Sequence, residues 1–361
     1  MEFTNETLLK MKEKQQYNKV FSNFYYGMSR ECLDEGLEVE SNKFLSRSER
    51  IKDCLDYWFW DKYERNKLLD LKKVNRCKNN RFCPNCKKFE LAKFIHHFKP
   101  IFFDLFQQGY NPYLMTLTVP NVRGEDLGET IDKMNKAFSK FFKLFNRDVE
   151  NGKDGFKGRL ITFDGALKVL EITYNENMNT FHPHFHVLVL STEYSPTLFN
   201  KSYQGEWSYK RNSYNMYSEL DLQVQKLWYM VYNKIRISEK NYANLNEYYL
   251  CDIREMDEKG LYELLKYTFK DTDVKNYYVF KMLVRGLERK RVRQGYGVLY
   301  NVKCEDIDDG EKIGIEQFLE IDKKENPEDI ITPGISKLIK EYHEYRKISR
   351  FKAYDNLTNL D

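Results

Sequence analysis

The pentad His182-Pro183-His184-Phe185-His186, running directly into Val187-Leu188-Val189-Leu190, constrains this chain more than any other stretch. Three of the six histidines fall within five residues, at the head of an apolar run that reads as a buried strand. Side chains on a strand alternate between faces, so His182, His184 and His186 project from one side of a sheet. Imidazole is the commonest neutral ligand for transition metals, and two rings separated by one bulky apolar residue form a bidentate clamp on a rigid element. The pattern favours a metal-dependent reaction. A polar strand edge is the alternative; a cloning tag would be terminal and uninterrupted, whereas this run opens into core sequence.

A third ligand should come from a neighbouring element. Ala166 to Tyr174 is strand-like in its β-branched and aromatic content, and Asn175-Glu176-Asn177-Met178-Asn179-Thr180 is a polar turn, so the two strands form a hairpin. If Tyr174 pairs with Phe181, Glu171 lies opposite His184, on the face that carries the rings. A slip of one residue would instead leave Glu171 as a solvent-facing glutamate on an edge strand.

His-apolar-His on a central strand, with an acidic residue on the strand before it, resembles the HUH endonuclease superfamily. That resemblance implies a metal that polarises a DNA phosphate for attack by a tyrosine. The segment Asp257 to Lys270 supplies one in a helical context, with Leu261, Leu264, Leu265 and Thr268 on one side and Glu263 and Tyr267 four residues apart on one face. The pattern Glu-x-x-Lys-Tyr-x-x-Lys, here Glu263, Lys266, Tyr267 and Lys270, is similar to the tyrosine motif of plasmid rolling-circle replication initiators of the Rep_1 class. Tyr113 to Asn121, a strand ending in Leu-Thr, resembles their first motif, and Cys77 to Cys86 resembles the cysteine-rich segment that precedes it. The resemblance covers about residues 45 to 300.

Carried onto this chain, the resemblance implies origin-specific nicking by transesterification. Tyr267 is the implied nucleophile, and His184, His186 and Glu171 hold a divalent metal, Mn or Mg. Glu263 activates water at termination, and Lys266 and Lys270 contact phosphate. The products are a 5′-phosphotyrosine and a free 3′-OH primer. The implied partners are plasmid double-strand origin DNA, single-stranded DNA, and a host helicase and DNA polymerase. Conjugative relaxases and single-strand transposases use the same chemistry. A zinc-containing DNA-binding regulator without catalysis is the alternative from another class. For Glu263 the simpler role is an i,i+3 ion pair with Lys266.

Cys83-Pro84-Asn85-Cys86 is a C-x-x-C knuckle and Cys77 adds a third thiolate, so a tetrahedral structural zinc needs one more ligand. The stretch ending at Cys54 resembles the family's upstream cysteine, which makes Cys54 the implied fourth ligand, with His96 and His97 as competitors. A redox disulfide is the other reading of C-x-x-C.

Aromatic residues make up 16% of the chain, which suits stacking of unpaired bases and equally reflects an AT-rich coding genome. The net charge of +4 is unevenly spread: residues 61 to 99 hold twelve Lys and Arg against four acids, and residues 305 to 329 hold eleven acids against three Lys. A basic part that meets phosphate and an acidic segment that does not is the reading of this segregation. The densest basic patch, with Arg289, Lys290, Arg291 and Arg293, suits the DNA backbone, or else is a solvated helix end. Seven cysteines behind an acidic, polar start point to a reducing, cytoplasmic location, and no apolar run approaches the ~18 residues of a membrane span. No P-loop signature is present, so no nucleotide-driven motor is encoded.

The organisation expected is a polar, helical or loose extension over 1–47, a basic cysteine-rich zinc-binding segment over 48–100, a nickase domain over 101–300, and an acidic segment with a short helical tail over 301–361. Within the nickase domain, 129–149 and 219–236 read as amphipathic helices, and a short strand should follow Asn241. The fold class expected is α+β, a central antiparallel sheet with flanking helices, of the HUH endonuclease type.

Overall fold

The computed structural model of this chain describes residues 5–54, 57–63, 68–146, 156–208, 212–256, 264, 273–274, 276–302, 346–347 and 351–352. The chain divides into two compact units, one of residues 1–98 and 305–361, the other of residues 99–304.

The first unit opens with two helices, α1 (Asn5–Asp34) and α2 (Glu38–Lys52). Gly36, at φ +75°, ends α1: its N–H bonds the Leu33 carbonyl and the Leu37 N–H bonds the Cys32 carbonyl, a left-handed stop that glycine adopts without strain. Phe21, Tyr25 and Met28 of α1 are buried, as are Phe44 and Ile51 of α2. Small residues let the helices approach closely. Ser22 Oγ donates to the Ser48 carbonyl at 2.9 Å, Ser48 Oγ donates to the Ser22 carbonyl at 2.8 Å, and the Ser29 and Ser41 hydroxyls lie 3.0 Å apart, so each of these four buried hydroxyls is paired.

Two strands follow, β1 (Tyr57–Tyr63) and β2 (Leu68–Val74), paired antiparallel. The other edge of β1 pairs with Arg346–Lys347 and Phe351–Lys352. A short helical tail is expected here from the sequence; these described residues are extended instead, because their main-chain groups complete the open edge of β1. Helix α3 (Pro84–Gln107) begins at Pro84, where a missing N–H costs nothing.

The second unit is built on a five-stranded sheet. Its strands are β3 (Asn111–Thr118), β4 (Gly165–Asn175), β5 (Thr180–Ser191), a short strand Asp252–Glu255 and a strand Arg293–Gly297. Between them lie α4 (Leu127–Phe145), a two-stranded ribbon of β6 (Tyr203–Ser208) and β7 (Ser213–Tyr217), α5 (Glu219–Tyr232), α6 (Glu239–Ala243) and α7 (Tyr277–Gly286). With Asp252–Glu255 as β8 and Arg293–Gly297 as β9, the spatial order is β8-β3-β5-β4-β9, and every neighbouring pair is antiparallel. The α+β class and the central antiparallel sheet agree with the sequence.

One face of this sheet is covered by α4 and α5. Phe138 of α4 meets Phe185 edge-on at 5.8 Å, Trp228 of α5 meets Phe141 edge-on at 5.8 Å, and the Trp228 indole donates to the Thr118 carbonyl at 2.8 Å. The helices form because Ile131, Met134, Phe138, Phe141, Phe142 and Phe145 repeat at helical spacing, all buried, and because Ser218 and Asp221 close a reciprocal capping box on α5. Helix α5 stops at Tyr232, short of the expected 236, because Lys234 turns left-handed (φ 57°) and the Ile235 N–H caps the Met230 carbonyl. The helix expected around Tyr267 lies outside the described residues apart from Leu264, which is helical and buried. Among the described residues no helix is long and apolar enough to cross a membrane.

The covered face buries one unexpected charge. Lys168 on β4 is fully buried; its Nζ donates to Asn135 Oδ1 at 2.5 Å and sits 4.7 Å from the Phe185 ring centre and 5.2 Å from that of Phe138. Burial, reinforced by the charge of Arg291, pushes this amine down to about 7. In the unfolded chain it titrates near ~10.4. Between these values the unfolded state binds more protons, so stability rises with pH from about 7 towards ~10. Lys168→Met is expected to flatten that rise, measured as the denaturation midpoint of both proteins at pH 7 and pH 9. Equal slopes would remove this amine from the account.

Candidate functional site

On the opposite face of the same sheet, the pairing of β4 with β5 sets Glu171 opposite His184 and Tyr174 opposite Phe181. This is the register that the sequence reading assumed. The three ligand atoms offered by Glu171, His184 and His186 lie within 4.8 Å of one another. Glu171 Oε2 is 2.8 Å from His186 Nε2 and 3.4 Å from His184 Nε2. Glu171 and His184 are buried and His186 is partly so. Burial alone would raise the Glu171 carboxyl; hydrogen bonds and charge from His184 and His186 outweigh it and hold the group well below the usual carboxylate range.

The tautomers follow from the contacts. His184 Nδ1 lies 3.2 Å from the His182 carbonyl and donates to it, so Nε2 is the nitrogen turned towards Glu171, 3.4 Å from Oε2, and is the one available to a metal. His186 Nδ1 is buried without a hydrogen-bond partner among the described residues. Two imidazole nitrogens and one carboxylate oxygen converging from a rigid sheet form a donor set that suits a divalent transition ion or Mg²⁺. The residues therefore fit a metal. His182 stacks on His184 at 5.1 Å but stands outside this trio.

One acidic neighbour escaped the sequence reading. Asp252 pairs opposite Thr116, and Thr116 pairs opposite His186, so Asp252 projects from the ligand face two strands from His186. Burial pushes its carboxyl upward, Asp221 adds to this, and Arg254, Lys201 and His186 pull against it. Only the order of strands in the sheet brings it there, and no spacing in the sequence announces it.

In the first unit the Sγ atoms of Cys54, Cys77, Cys83 and Cys86 come together, all buried. Cys54 completes the set that His96 and His97 competed for. Cys86 Sγ is 3.6 Å from both Cys54 and Cys77, and Cys83 Sγ is 3.5 Å from Cys54. A disulfide needs about 2.05 Å, whereas sulfurs bound to one tetrahedral zinc at about 2.3 Å sit about 3.8 Å apart. Backbone N–H groups of Cys77, Asn79 and Cys86 point at Cys54, Cys77 and Cys83 Sγ, each at 3.4 Å, and stabilise negative sulfur. Asn18 supplies an independent test. Its Nδ2 is buried without a partner among the described residues while its Oδ1 lies 3.3 Å from Cys83 Sγ, and turning the amide over gives that donor a thiolate acceptor. The four sulfurs fit a metal cage.

Of the expected DNA-contacting residues, Arg289 and Arg291 are exposed in the turn between α7 and β9, Arg293 opens β9, and Lys290 is paired with Asp132 of α4. Tyr267, Glu263, Lys266 and Lys270 lie outside the described residues.

Removing one sulfur separates a metal cage from a cluster of thiols. Cys83→Ser is expected to lose about one tightly bound metal ion per chain and to unfold at lower denaturant concentration, since binding at such cages is coupled to folding. Elemental analysis of both proteins checks this, and unchanged metal content would contradict it.

The Rep_1 family profile, described as a replication protein, matches residues 68–345. Relatives named "Protein rep" include one from Bacillus amyloliquefaciens, 31% identical over 233 residues, covering 63% of this chain and 61% of its own length. Another, from Bacillus sp, is 32% identical over 237 residues, covering 64% of this chain and 68% of its own. A third, from Staphylococcus aureus, is 29% identical over 265 residues, covering 73% and 93%. No solved structure matches the chain. A family match that runs from β2 across the whole sheet unit, and so takes in both ligand strands and three of the four cysteines, places this chain in the Rep_1 family of replication proteins.

Proposed function

We propose that this protein is a plasmid rolling-circle replication initiator with an HUH-type nickase fold, which cuts one strand of its origin by tyrosine transesterification. The observation that carries the reading is the convergence of Glu171, His184 and His186 on one sheet face, in a chain of a replication-protein family. A divalent ion, Mn²⁺ or Mg²⁺, held by these three residues would supply Lewis-acid stabilisation to the non-bridging oxygens of a phosphate. Mg²⁺ favours oxygen ligands, so two imidazoles tilt the choice towards Mn²⁺.

The chain's own groups do the rest. The Tyr267 hydroxyl attacks phosphorus: the tyrosyl oxygen–phosphorus bond forms, the bond to the 3′-oxygen breaks, and the tyrosine proton ends on the leaving 3′-oxygen. The products are a 5′-phosphotyrosine and a 3′-OH that primes synthesis by a host polymerase behind a host helicase. Glu263, four residues before Tyr267, takes a proton from water when the second product is hydrolysed. Lys266, Lys270, Arg289, Arg291 and Arg293 meet phosphates, and the cysteine cage holds structural zinc. Assignment of Tyr267 rests on its motif, not on its place in the fold.

Tyr267→Phe is expected to abolish nicking and the covalent protein–DNA adduct, with origin binding unchanged within a few-fold, because one hydroxyl goes and the ring stays. Mass spectrometry of the adduct reads this directly. An adduct formed normally by the variant would shift the assignment to Tyr262.

His184→Ala and His186→Ala are each expected to remove divalent-metal-dependent cleavage of a labelled hairpin oligonucleotide, and His182→Ala to cost less. Cleavage by wild type that persists undiminished in excess EDTA would remove the metal from the mechanism. Absence of cleavage by wild type with Mn²⁺ or Mg²⁺, with DNA binding intact, would favour a non-catalytic regulator.

A further inference from the structure

The third histidine of the strand has no place in the ligand trio, yet its ring continues the stack. His182 lies nearly parallel to His184, at 28° and 5.1 Å, and its own ring borders a cavity of about 560 Å³ that opens to solvent. That volume falls within the ~300–1,000 Å³ range of ligand pockets. The cavity begins where β3 ends, at Thr118-Val119-Pro120, and its far wall is the segment Asn246 to Leu250.

This wall is held firmly. Thr118 Oγ1 donates to the Leu250 carbonyl at 2.5 Å, and Gln225 Nε2 donates to the Cys251 carbonyl at 2.8 Å. The Tyr249 ring sits edge-on to Tyr229 at 4.9 Å and to Tyr232 at 5.7 Å, and Asn233 Nδ2 donates to its hydroxyl at 3.2 Å. Tyr248 and Tyr249 are half-buried. A cavity walled by tyrosines and an imidazole offers flat π faces, which every nucleobase can use.

Its charge excludes the other half of a nucleotide. Among the described residues, the titratable side chains that line it are Glu206 of β6, Glu247, His182 and three tyrosines, with no lysine or arginine. Two carboxylates repel a phosphate and accept hydrogen bonds, so the complementary ligand is neutral and rich in donors. Tyr229 donates its hydroxyl to Glu247 Oε2 and so orients that carboxylate. Of the four bases, guanine alone presents two adjacent donors on its pairing edge, N1–H and the N2 amino group, which one carboxylate can accept together. Cytosine and adenine offer one amino group beside an acceptor, and thymine one N–H between two carbonyls.

We infer that this cavity takes one unpaired base of the strand whose phosphate meets the Glu171, His184 and His186 centre, with His182 and Tyr248 supplying stacking faces and Glu206 and Glu247 selecting guanine. The inference rests on the nickase reading above and adds a base-specific subsite to it. His182 is then a specificity residue rather than a weak third ligand.

The test uses the full chain with no Mn²⁺ or Mg²⁺ added and no chelator, so that cleavage is not supported and the cysteine cage keeps its metal, and fluorescence anisotropy with single-stranded oligothymidylates carrying one central dG, dA, dC or abasic site. Wild type is expected to bind the dG oligonucleotide about tenfold more tightly than the abasic one, the size of one base-stacking contact. Glu247→Gln should lose most of the preference for dG over dA and dC, and His182→Ala and Tyr248→Ala should lose the advantage of any base over the abasic site. Glu206→Gln, on an exposed strand, provides a variant whose folding is not at stake. Failure of folded wild type to bind any of the oligonucleotides would overturn the nickase reading itself. Binding that ignores base identity and the abasic site alike would overturn the pocket alone. A preference for dG that survives both Glu247→Gln and Glu206→Gln would overturn the role of the carboxylates.

Discussion

A slip of one residue between β4 and β5 would carry Glu171 to the face that holds Phe138, and Lys168 to the face that holds the histidines. Both moves are costly, since each strips a charge of its partner inside the protein. The two strands are buried on both faces for much of their length, so apolar alternation alone specifies their register weakly. The charged residues specify it instead, one for each face. The turn between the strands adds a second lock: Asn179 takes a left-handed conformation at φ 50°, its side chain accepts from the Tyr174 hydroxyl at 2.8 Å, and Asn175 Oδ1 accepts from the Met178 N–H at 3.2 Å. The geometry of the ligand trio is thus a consequence of strand pairing, and it stands on the most rigid kind of support a fold offers.

The cysteine cage does for the first unit what strand pairing does for the second. Tyr25 of α1 stacks on Phe44 of α2 and meets Phe82, one residue before Cys83, edge-on, while Asn79 donates to the Tyr25 hydroxyl at 3.1 Å. The cage and the helix pair therefore share one core. Burial and three sulfur neighbours all push the Cys83 thiol up, so four anionic sulfurs at this spacing cannot coexist without a cation between them. A divalent ion would turn that repulsion into attraction and join chain segments more than thirty residues apart.

Much of this was legible from residue order because the informative positions interact locally. His184 and His186 are two residues apart on one strand, Glu171 lies across a single tight turn, and the three cysteines Cys77, Cys83 and Cys86 share one knuckle. The helices α4 and α5 announced themselves by their apolar stripes. What escaped was set by distant parts of the chain. Strands β1, rich in aromatics, and β2 lie within the basic segment around the cysteines, and β1 gains its second partner from residues near 350. Asp252 reaches the ligand face only through the order of strands in the sheet, and the cavity beside His182 joins β3, β6 and the segment before β8, the first and last of which lie more than a hundred residues apart. Lys168 carried no reading of its own within the strand-like stretch, because a strand pattern does not reveal which of its polar residues a helix will cover.

On the proposed nickase reading, the placement of charge in the sheet unit follows what each part of a DNA strand requires. Arg289 and Arg291 are exposed beyond α7, where a phosphate can be met without desolvating the guanidinium, and Lys290 is already neutralised by Asp132. The cavity beside His182 carries carboxylates and rings instead. Phosphate contacts release counterions and weaken steeply as salt rises, whereas stacking and hydrogen bonds to a base do so much less. On that reading, the basic turn would hold any single strand at low salt. As salt approaches physiological levels that grip loosens and the cavity's share of the binding energy grows, so discrimination between sequences sharpens under the conditions in which an initiator must find one site among many.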